Sequence, residues 1–291
     1  MTKYGLLYRA TLGLRQKPMS ALVSIFIVYA TIWAVLEPLT GIVPQAEKYF
    51  SGEVKFSFLL FVSILIGLYR SAVPKNLIIQ YGNSIIEIVF GDLFAVSGLK
   101  VIPVSRYFFE IEVVPTSLQH KVIQLFVQSQ EGSKGFDAYE KSLSLALKQK
   151  PYKETYRSIL QRKEKYYPLG TSVPLALDGE TYILFALTET ELEGCITNDN
   201  CNASKMWDAL ETLWQKVRIY SRGRSINIPL IGSGVTGIRL NPNQILELNL
   251  LAIANAIEES GKITTEEIRI VLHPKYMETI DLRDFKDLWN A

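Results

Sequence analysis

The sequence predicts an α/β protein with two N-terminal transmembrane helices, followed by a mixed sheet with helices on both faces. Three observations predict this fold class. A long uncharged apolar run lies near the N-terminus, strand-like and helix-like segments alternate after Pro74, and a glycine loop follows one of the late strands. A hydrophobic content of 48% and a mean hydropathy of +0.14 are high for a cytosolic enzyme and agree with a membrane segment.

The first transmembrane helix is predicted over residues 19–36, "MSALVSIFIVYATIWAVL", which carries no charge. As a helix this run is about 27 Å long, close to the roughly 30 Å hydrocarbon core of a bilayer. A cleaved signal peptide is disfavoured, because the run is longer than a usual signal core and the following "EPLTGIVP" offers no small-x-small cleavage site. The sequence therefore predicts a permanent anchor.

A second transmembrane helix is predicted over about residues 56–73, although its apolar part, "FSFLLFVSILIGLY", is shorter than a usual span. Lys55 and Arg70 at its ends can reach toward the headgroups. The alternative is a core helix of the soluble domain. The linker between the two runs disfavours it, since two prolines and two glycines suit a short connection between spans.

Positive charge predicts the orientation of these helices. The basic N-terminal segment, residues 1–18, carries four Lys or Arg and no acidic residue, and Arg70 and Lys75 flank the second span. The loop between the spans has more acidic than basic residues. The positive-inside rule then predicts a multi-pass protein with both termini in the cytoplasm. We expect residues 1–74 to form the anchor and residues 75–291 to form one cytoplasmic ligand-binding domain.

Composition excludes several kinds of site. Cys195 and Cys201 are the only cysteines, and His120 and His273 are the only histidines. A structural metal site needs about four ligands at close spacing, so we predict free thiols and no metal. Two histidines also leave little material for a histidine-dependent nucleophilic triad. A net charge of +2 spread along the chain gives no nucleic-acid footprint.

Beyond Pro74 the predicted order of elements is β-β-β-α-α-β-α-β-α-β-α. The first two strands form a hairpin that turns at Gly82-Asn83. Later helices are predicted to begin at residues that cap helix N-termini: Thr116 or Ser117, Ser204 and Asn241. The basic segment 148–165 is predicted to be a solvated helix face, with contact to anionic headgroups or to a neighbouring protomer as alternatives.

Three strand ends carry residues suited to ligand contact. Asp92 follows the strand "IIEIVF", Ser105 follows "KVIP", and the loop 232–237, "GSGVTG", follows a third strand. In open α/β sheets ligands bind beyond the carboxyl ends of the strands, so one pocket is expected to collect all three. Glycines allow close approach to backbone N–H groups, which predicts an anion cradle.

The glycine spacing G-x-G-x-x-G also matches a dinucleotide-binding fingerprint, but no helix opens at the third glycine, Gly237. A plain tight turn remains an alternative for this loop. It is not a phosphate-binding Walker loop, because the Gly-Lys-Ser/Thr sequence is missing.

Three stretches together resemble a macro domain, the module that binds ADP-ribose: "VFGDL", "YPLGTSVPLALDGETYILFALTE" and "IPLIGSGVTGIRLNP". The resemblance covers roughly residues 77–280. It implies that Asp92 receives the adenine amino group, that loop 232–237 holds the diphosphate, and that an aromatic residue near the last strand stacks on adenine. For Asp92 and Ser117, plain capping remains the alternative, and for Tyr276 an exposed loop position does. The ligand-binding residues implied are Asp92, Leu93, Ser105, Arg106, Ser117, Gly232, Ser233, Gly234, Val235, Thr236, Gly237, His273 and Tyr276.

Two spans before a macro-like domain resemble the membrane effector of type II Thoeris anti-phage systems. The resemblance implies that a TIR-domain partner consumes NAD and makes a nucleotide second messenger, an ADP-ribose derivative described as a histidine conjugate. It implies no further cofactor, contact with membrane lipids, a homo-oligomer, and abortive damage to the cell inner membrane. A membrane-anchored ADP-ribosyl hydrolase is one alternative. It is disfavoured because "VIPVSRYFFEIEVVPTSLQHKV" replaces the asparagine and glycine residues of the hydrolases. A membrane adaptor that binds only protein is the other alternative. Because the hydrolase is disfavoured, the chain is predicted not to be an enzyme.

Overall fold

The computed structural model describes residues 5–42, 53–109, 115–130, 133–157, 161–188, 192–193, 196–197, 202–234, 238–264 and 266–289. The chain divides into two compact units. One unit contains the residues up to Lys75 together with Asp281–Trp289, and the other contains Asn76–Ile280. Both cysteines, Cys195 and Cys201, lie outside the described residues, so their predicted state as free thiols stays a prediction.

The described residues of the N-terminal unit begin with three helices. One of them, over Pro18–Pro38, is long and apolar enough to cross a membrane, and it is the only such helix within the described part of the chain. The second predicted span also forms a helix, but its apolar part, Phe56–Ser71, is shorter than a usual span, so its crossing stays a prediction. A glycine, Gly67, lets this helix approach Ile25 closely, because a Cβ there would lie 2.7 Å from the Ile25 Cα. The three helices are α1 (Leu6–Gln16), α2 (Pro18–Ile42) and α3 (Glu53–Ser71).

The second unit is built on a mixed sheet and two small hairpins. Its strands are β1 (Asn76–Tyr81), β2 (Ser84–Phe90), β3 (Leu99–Ser105), β4 (Lys153–Arg157), β5 (Arg162–Tyr166), β6 (Ser172–Leu177), β7 (Glu180–Thr188), β8 (Leu192–Glu193), β9 (Ile196–Thr197), β10 (Ile226–Pro229) and β11 (Glu267–Leu272). The seven-stranded sheet has the order β1-β2-β11-β10-β3-β7-β6. Its five middle strands run parallel, and β1 and β6 pair antiparallel at the two edges.

Helices flank this sheet on both faces, as predicted. They are α4 (Leu118–Ser129), α5 (Ser133–Leu147), α6 (Ala203–Ser221) and α7 (Pro242–Ser260). The interior strand β3 is buried on both faces: Ile102 and Val104 join a core with the α4 residues Val122 and Phe126, and Val101 is also fully buried. This explains why β3 reads as a continuous apolar run instead of an alternating one.

Predicted helix starts were confirmed with one exception. Ser117 caps α4 by accepting the His120 N–H at 3.1 Å. Asn241 and Gln244 form a capping box at the start of α7. The predicted cap Ser204 was wrong: Asn202 caps α6, because its side chain accepts the Lys205 N–H at 2.9 Å.

The predicted helix over the basic segment 148–165 was also wrong. Its residues form the antiparallel hairpin β4–β5, with Thr155 opposite Glu164. The charged residues conceal the alternation of buried and exposed side chains that is typical of a strand. The side chains of Arg157 and Glu164 are only 9% exposed each, because they form an ion pair of 2.9 Å. The helical reading failed because it treated every charge as solvated.

The C-terminal helix α8 (Leu282–Trp289) belongs to the N-terminal unit. Arg283 donates to the carbonyl of Ser71, the last residue of α3, at 2.7 Å and holds Asp281 at 2.7 Å. Lys17 forms an ion pair of 2.5 Å with Asp284. These contacts fasten the end of the chain to the N-terminal helices.

Candidate functional site

A cavity of about 600 Å³ lies at the carboxyl ends of the parallel strands. The ends of β2, β3, β10 and β11 all reach it, because parallel strands end at the same edge of a sheet. The start of α4 closes another side. The cavity is lined by Gly91, Asp92, Leu93, Pro103, Val104, Ser105, Thr116, Ser117, Leu118, Gln119, Thr188, Pro229, Leu230, Gly232, Ser233, Gly234, Val271, His273, Lys275 and Tyr276.

The glycine loop after β10 forms one wall of the cavity. Gly232 has φ +97°, and a Cβ at this position would lie 2.8 Å from the Met206 sulfur, so only glycine fits without strain. At Gly234 a Cβ would meet no atom of the described residues within 4 Å, which leaves open space beside the backbone. The predicted residues Val235, Thr236 and Gly237 lie outside the described residues.

Side chains from two neighbouring helices hydrogen-bond to the glycine loop and to the residue before it. Asn249 of α7, which is 1% exposed, donates to the carbonyl of Ile231 at 2.9 Å. Tyr276 donates to the carbonyl of Ser233 at 3.2 Å. Sequence reasoning missed Asn249, although a polar residue inside the apolar run "LELNLLAIANAI" is a signal that could have identified it. These two bonds hold the described start of the loop, at Ile231 and Ser233.

Asp92 combines a cap with an ion pair at the rim of the cavity. Its carboxylate accepts the Phe94 N–H at 2.9 Å and holds Lys121 at 3.0 Å. Partial burial works to raise the pKa of Asp92, but the Phe94 N–H and the Lys121 ammonium outweigh it and hold this pKa below its ordinary value. The carboxylate is therefore ionised at neutral pH and accepts hydrogen bonds.

Ser105 and its neighbour Arg106 point to different places. Ser105 is 4% exposed and lines the cavity. Arg106 is not among the lining residues, because its Nε donates to the Tyr167 carbonyl at 2.8 Å and its guanidinium lies 4.8 Å from the ring centroid of Tyr166. The prediction that placed Arg106 beside Ser105 in one pocket therefore needs correction: Arg106 faces the β5 side of the unit.

A short 3₁₀ helix, Pro274–Glu278, contributes the remaining polar wall. His273 caps it, since its Nδ1 accepts the Lys275 N–H at 3.2 Å, which leaves the Nε2 as the protonated nitrogen of the neutral ring. Lys275 was not predicted, although it stands between two predicted residues in "HPKYM". Its ammonium lies 4.8 Å from the ring centroid of Tyr276.

The cavity thus offers a backbone cradle, one carboxylate, one ammonium and an aromatic ring to a ligand. Within the described ranges no group of three or more His, Cys, Asp or Glu residues lies close enough to hold a metal ion. An ammonium beside glycine backbone can accommodate an anionic ligand, and the aromatic ring can stack on a heterocycle.

The family model of the Thoeris protein ThsA macro domain matches residues 86–273. Among solved structures, the chain is similar to an Oceanobacillus iheyensis macrodomain with ADP, at 15% identity and a TM-score of 0.49, covering 73% of this chain and 96% of that one. A mutant of the same macrodomain with ADPR gives 16% identity, a TM-score of 0.49, and coverage of 74% and 100%. A Trypanosoma brucei macrodomain in complex with ADP-ribose gives 11% identity, a TM-score of 0.39, and coverage of 67% and 66%. No curated protein is significantly similar in sequence.

Proposed function

The chain belongs to the family of Thoeris ThsA macro domains, and from this premise we propose that it is a membrane-anchored sensor of an ADP-ribose-derived nucleotide. The macro domain binds the nucleotide, and binding drives the chains to assemble and to breach the cell inner membrane. The signal, an ADP-ribose derivative such as histidine-ADP-ribose, comes from a TIR-domain partner that consumes NAD. This activity ends in abortive anti-phage defence.

The observation that carries the proposal is the glycine-loop wall of the cavity. Gly232, Ser233 and Gly234 all line the cavity, and the open side of Gly234 is where a diphosphate would approach the backbone closely. A volume of about 600 Å³ lies in the range that holds small-molecule ligands. Lys275 adds a positive charge for an anionic ligand.

Binding without hydrolysis is supported by the sequence from β3 into α4, because "VIPVSRYFFEIEVVPTSLQHKV" contains none of the asparagine and glycine residues that the resemblance implies for the hydrolases. We therefore propose that the protein is not an enzyme. Recovery of unchanged ADP-ribosyl substrate after incubation with the full chain is the expected result.

Assembly is proposed because one chain cannot breach a bilayer alone. A pair of helices has no lumen, and its backbone polar groups are satisfied internally. A ligand shifts an equilibrium only through its differential affinity for the two states, so the assembled state must bind the nucleotide more tightly. We expect saturating ligand to convert the full chain in detergent to a larger oligomer by mass photometry and to release dye from vesicles that contain it.

The proposed topology places both termini and the macro domain in the cytoplasm. Cysteines introduced near Gly41 are expected to react with impermeant thiol reagents from outside the inner membrane, and cysteines near Lys75 are not. Reversed labelling would contradict the positive-inside orientation. Labelling of both positions from the same side would mean that α3 does not cross.

The decisive experiment is titration calorimetry of the full chain in detergent with ADP-ribose, histidine-ADP-ribose and NAD. We expect binding of the ADP-ribose compounds and a preference for one conjugate over NAD. No heat with any of the three would overturn the sensor proposal and favour the adaptor that binds only protein.

A further inference from the structure

The hairpin β4–β5 has two unlike faces. Residues directly opposite each other in an antiparallel pair share a face, and the pairs here are Lys153 with Tyr166, Glu154 with Lys165, Thr155 with Glu164, Tyr156 with Lys163, and Arg157 with Arg162. Alternation along the strands then divides the hairpin into an inner and an outer face. The outer face consists of Glu154, Tyr156, Lys163 and Lys165, preceded by Tyr152.

The inner face pairs its charged side chains with one another and packs on the domain. The ion pair between Arg157 and Glu164 is 9% exposed on each side chain, and Arg162 also holds Glu164 at 2.7 Å. The guanidinium of Arg157 lies 4.3 Å from the ring centroid of Tyr107. The inner face therefore fixes which side of the hairpin is turned to solvent.

The outer face presents two lysines and one glutamate beside Tyr152 and Tyr156, so its charge is positive by one. All four of its hairpin residues are exposed, and Tyr156 is 63% exposed. Lys165 lies 4.2 Å from the ring centroid of Tyr152, which is 46% exposed. An exposed aromatic ring is costly in water and favourable at a lipid headgroup layer, where its apolar body and polar hydroxyl both find partners.

We propose that the outer face binds anionic phospholipid headgroups and thereby holds the macro domain against the membrane surface. This inference rests on the membrane anchoring proposed above. Charge complementarity selects the lipid: lysines are attracted to phosphatidylglycerol, which carries a negative charge, and the attraction falls off within a Debye length of the surface. An anchored domain stays near that surface, so even a weak contact is occupied.

The test uses the full chain in nanodiscs that contain a fixed fraction of lipid with a spin-labelled headgroup. Cys195 and Cys201 are replaced by serine, and Glu154→Cys carries a fluorophore on the outer face. Apart from the labelled lipid, one set of discs contains only phosphatidylcholine, and in the other set one part in four is phosphatidylglycerol. We expect quenching to rise about twofold or more in the second set, and the rise to disappear in about 1 M NaCl, where charges are screened beyond about 3 Å.

Charge reversal identifies the face responsible. Lys163→Glu with Lys165→Glu is expected to abolish the rise, and Lys163→Gln with Lys165→Gln to reduce it strongly without adding negative charge. The matched control is Lys134→Glu with Lys141→Glu, because both lysines are exposed on α5 and the change in net charge is the same. An unchanged melting temperature verifies that each variant is folded.

Each outcome decides between the proposals. Equal quenching in the two lipid mixtures, or a rise that survives Lys163→Glu with Lys165→Glu, would overturn the lipid contact while the anchor stands. A response of the fluorophore to added RNA instead of phosphatidylglycerol would assign the face to nucleic acid. Failure of the chain to enter phosphatidylcholine discs would overturn the anchor itself and the lipid contact with it.

Discussion

The hydroxyl of Tyr276 donates a hydrogen bond of 3.2 Å to the backbone carbonyl of Ser233. The two residues belong to different elements, the 3₁₀ helix after β11 and the glycine loop after β10, and both line the cavity. The bond occupies a carbonyl of the loop and joins the loop to the 3₁₀ helix at the wall of the cavity.

Removing this bond should weaken ligand binding. Tyr276→Phe keeps the ring and deletes the hydroxyl, so we expect a loss of about 0.5–1.5 kcal/mol in ADP-ribose affinity by calorimetry. Tyr156→Phe removes a hydroxyl far along the chain on the hairpin and serves as the control. Equal affinity of Tyr276→Phe and the unaltered chain would show that the loop does not depend on this bond.

Gly234 allows a direct test of the cradle. Because a Cβ meets no atom of the described residues within 4 Å there, Gly234→Ala should fold with an unchanged melting temperature. Gly234→Glu places a long side chain and a negative charge in the open space, and we expect ADP-ribose binding to be lost while the melting temperature stays the same. Retained binding in Gly234→Glu would rule out a diphosphate at this wall.

Gly232→Ala, unlike Gly234→Ala, should destabilise the fold. Its φ of +97° and the 2.8 Å approach of the Met206 sulfur mean that Gly232→Ala strains the backbone and the core together. We expect a loss of about 1–3 kcal/mol in the free energy of unfolding, measured by denaturant titration. If Gly232→Ala and Gly234→Ala are equally stable, the left-handed conformation is not required.

Asp92→Asn separates the cap from the charge. Asparagine also caps helix N-termini, so the Phe94 N–H keeps an acceptor and stability should change little. A ligand that donates to the carboxylate loses a charge-assisted bond, and we expect affinity to fall by about 1.5–3 kcal/mol. Ser117→Ala, which removes a cap at the same cavity, is the comparison. Unchanged affinity in Asp92→Asn would leave capping as the role of Asp92.

Acid should destabilise the hairpin through Glu164. Burial works to raise the pKa of Glu164, but Arg162 and Arg157 outweigh it and hold this pKa below its ordinary value of 4.5. A carboxylate with a lowered pKa stabilises the fold above its unfolded-state pKa, and this contribution is lost as the pH falls through the folded-state pKa. We expect the melting temperature of Glu164→Gln to depend less on pH below about pH 4.5 than that of the unaltered chain.

Short stretches of adjacent residues were enough to predict most elements of the fold. Asn241 followed by Pro242 predicted the start of α7, and the uncharged run near the N-terminus predicted α2, because caps and hydrophobic length are properties of adjacent residues. The hairpin was missed because the pairing of Arg157 with Glu164 is made only after the chain has turned. A buried charge pair looks like solvated charge in a sequence.

The residues of the candidate site also divide into those that the sequence pattern placed and those that depend on contacts made only in the folded chain. Strand ends at Asp92, Ser105 and Gly232 were predicted to meet, and all three line the cavity, because parallel topology brings strand ends together. Their roles toward a ligand stay predictions. Arg106 was misplaced because one residue beyond Ser105 the side chain turns to the Tyr167 carbonyl, a partner that no local pattern reveals.

The C-terminal helix α8 gives the macro domain a second backbone connection to the N-terminal unit. Asp281–Trp289 belongs to the same unit as the N-terminal helices, so the macro domain is an insertion in that unit. The backbone passes between the two units twice, at Lys75–Asn76 and at Ile280–Asp281. A domain inserted in this way leaves its host unit and returns to it through two backbone connections. Lys17, which pairs with Asp284, and Arg283, which donates to the Ser71 carbonyl, hold the returning segment to the N-terminal helices. Cutting the chain between the macro domain and α8 would leave a single connection without altering any residue that lines the cavity.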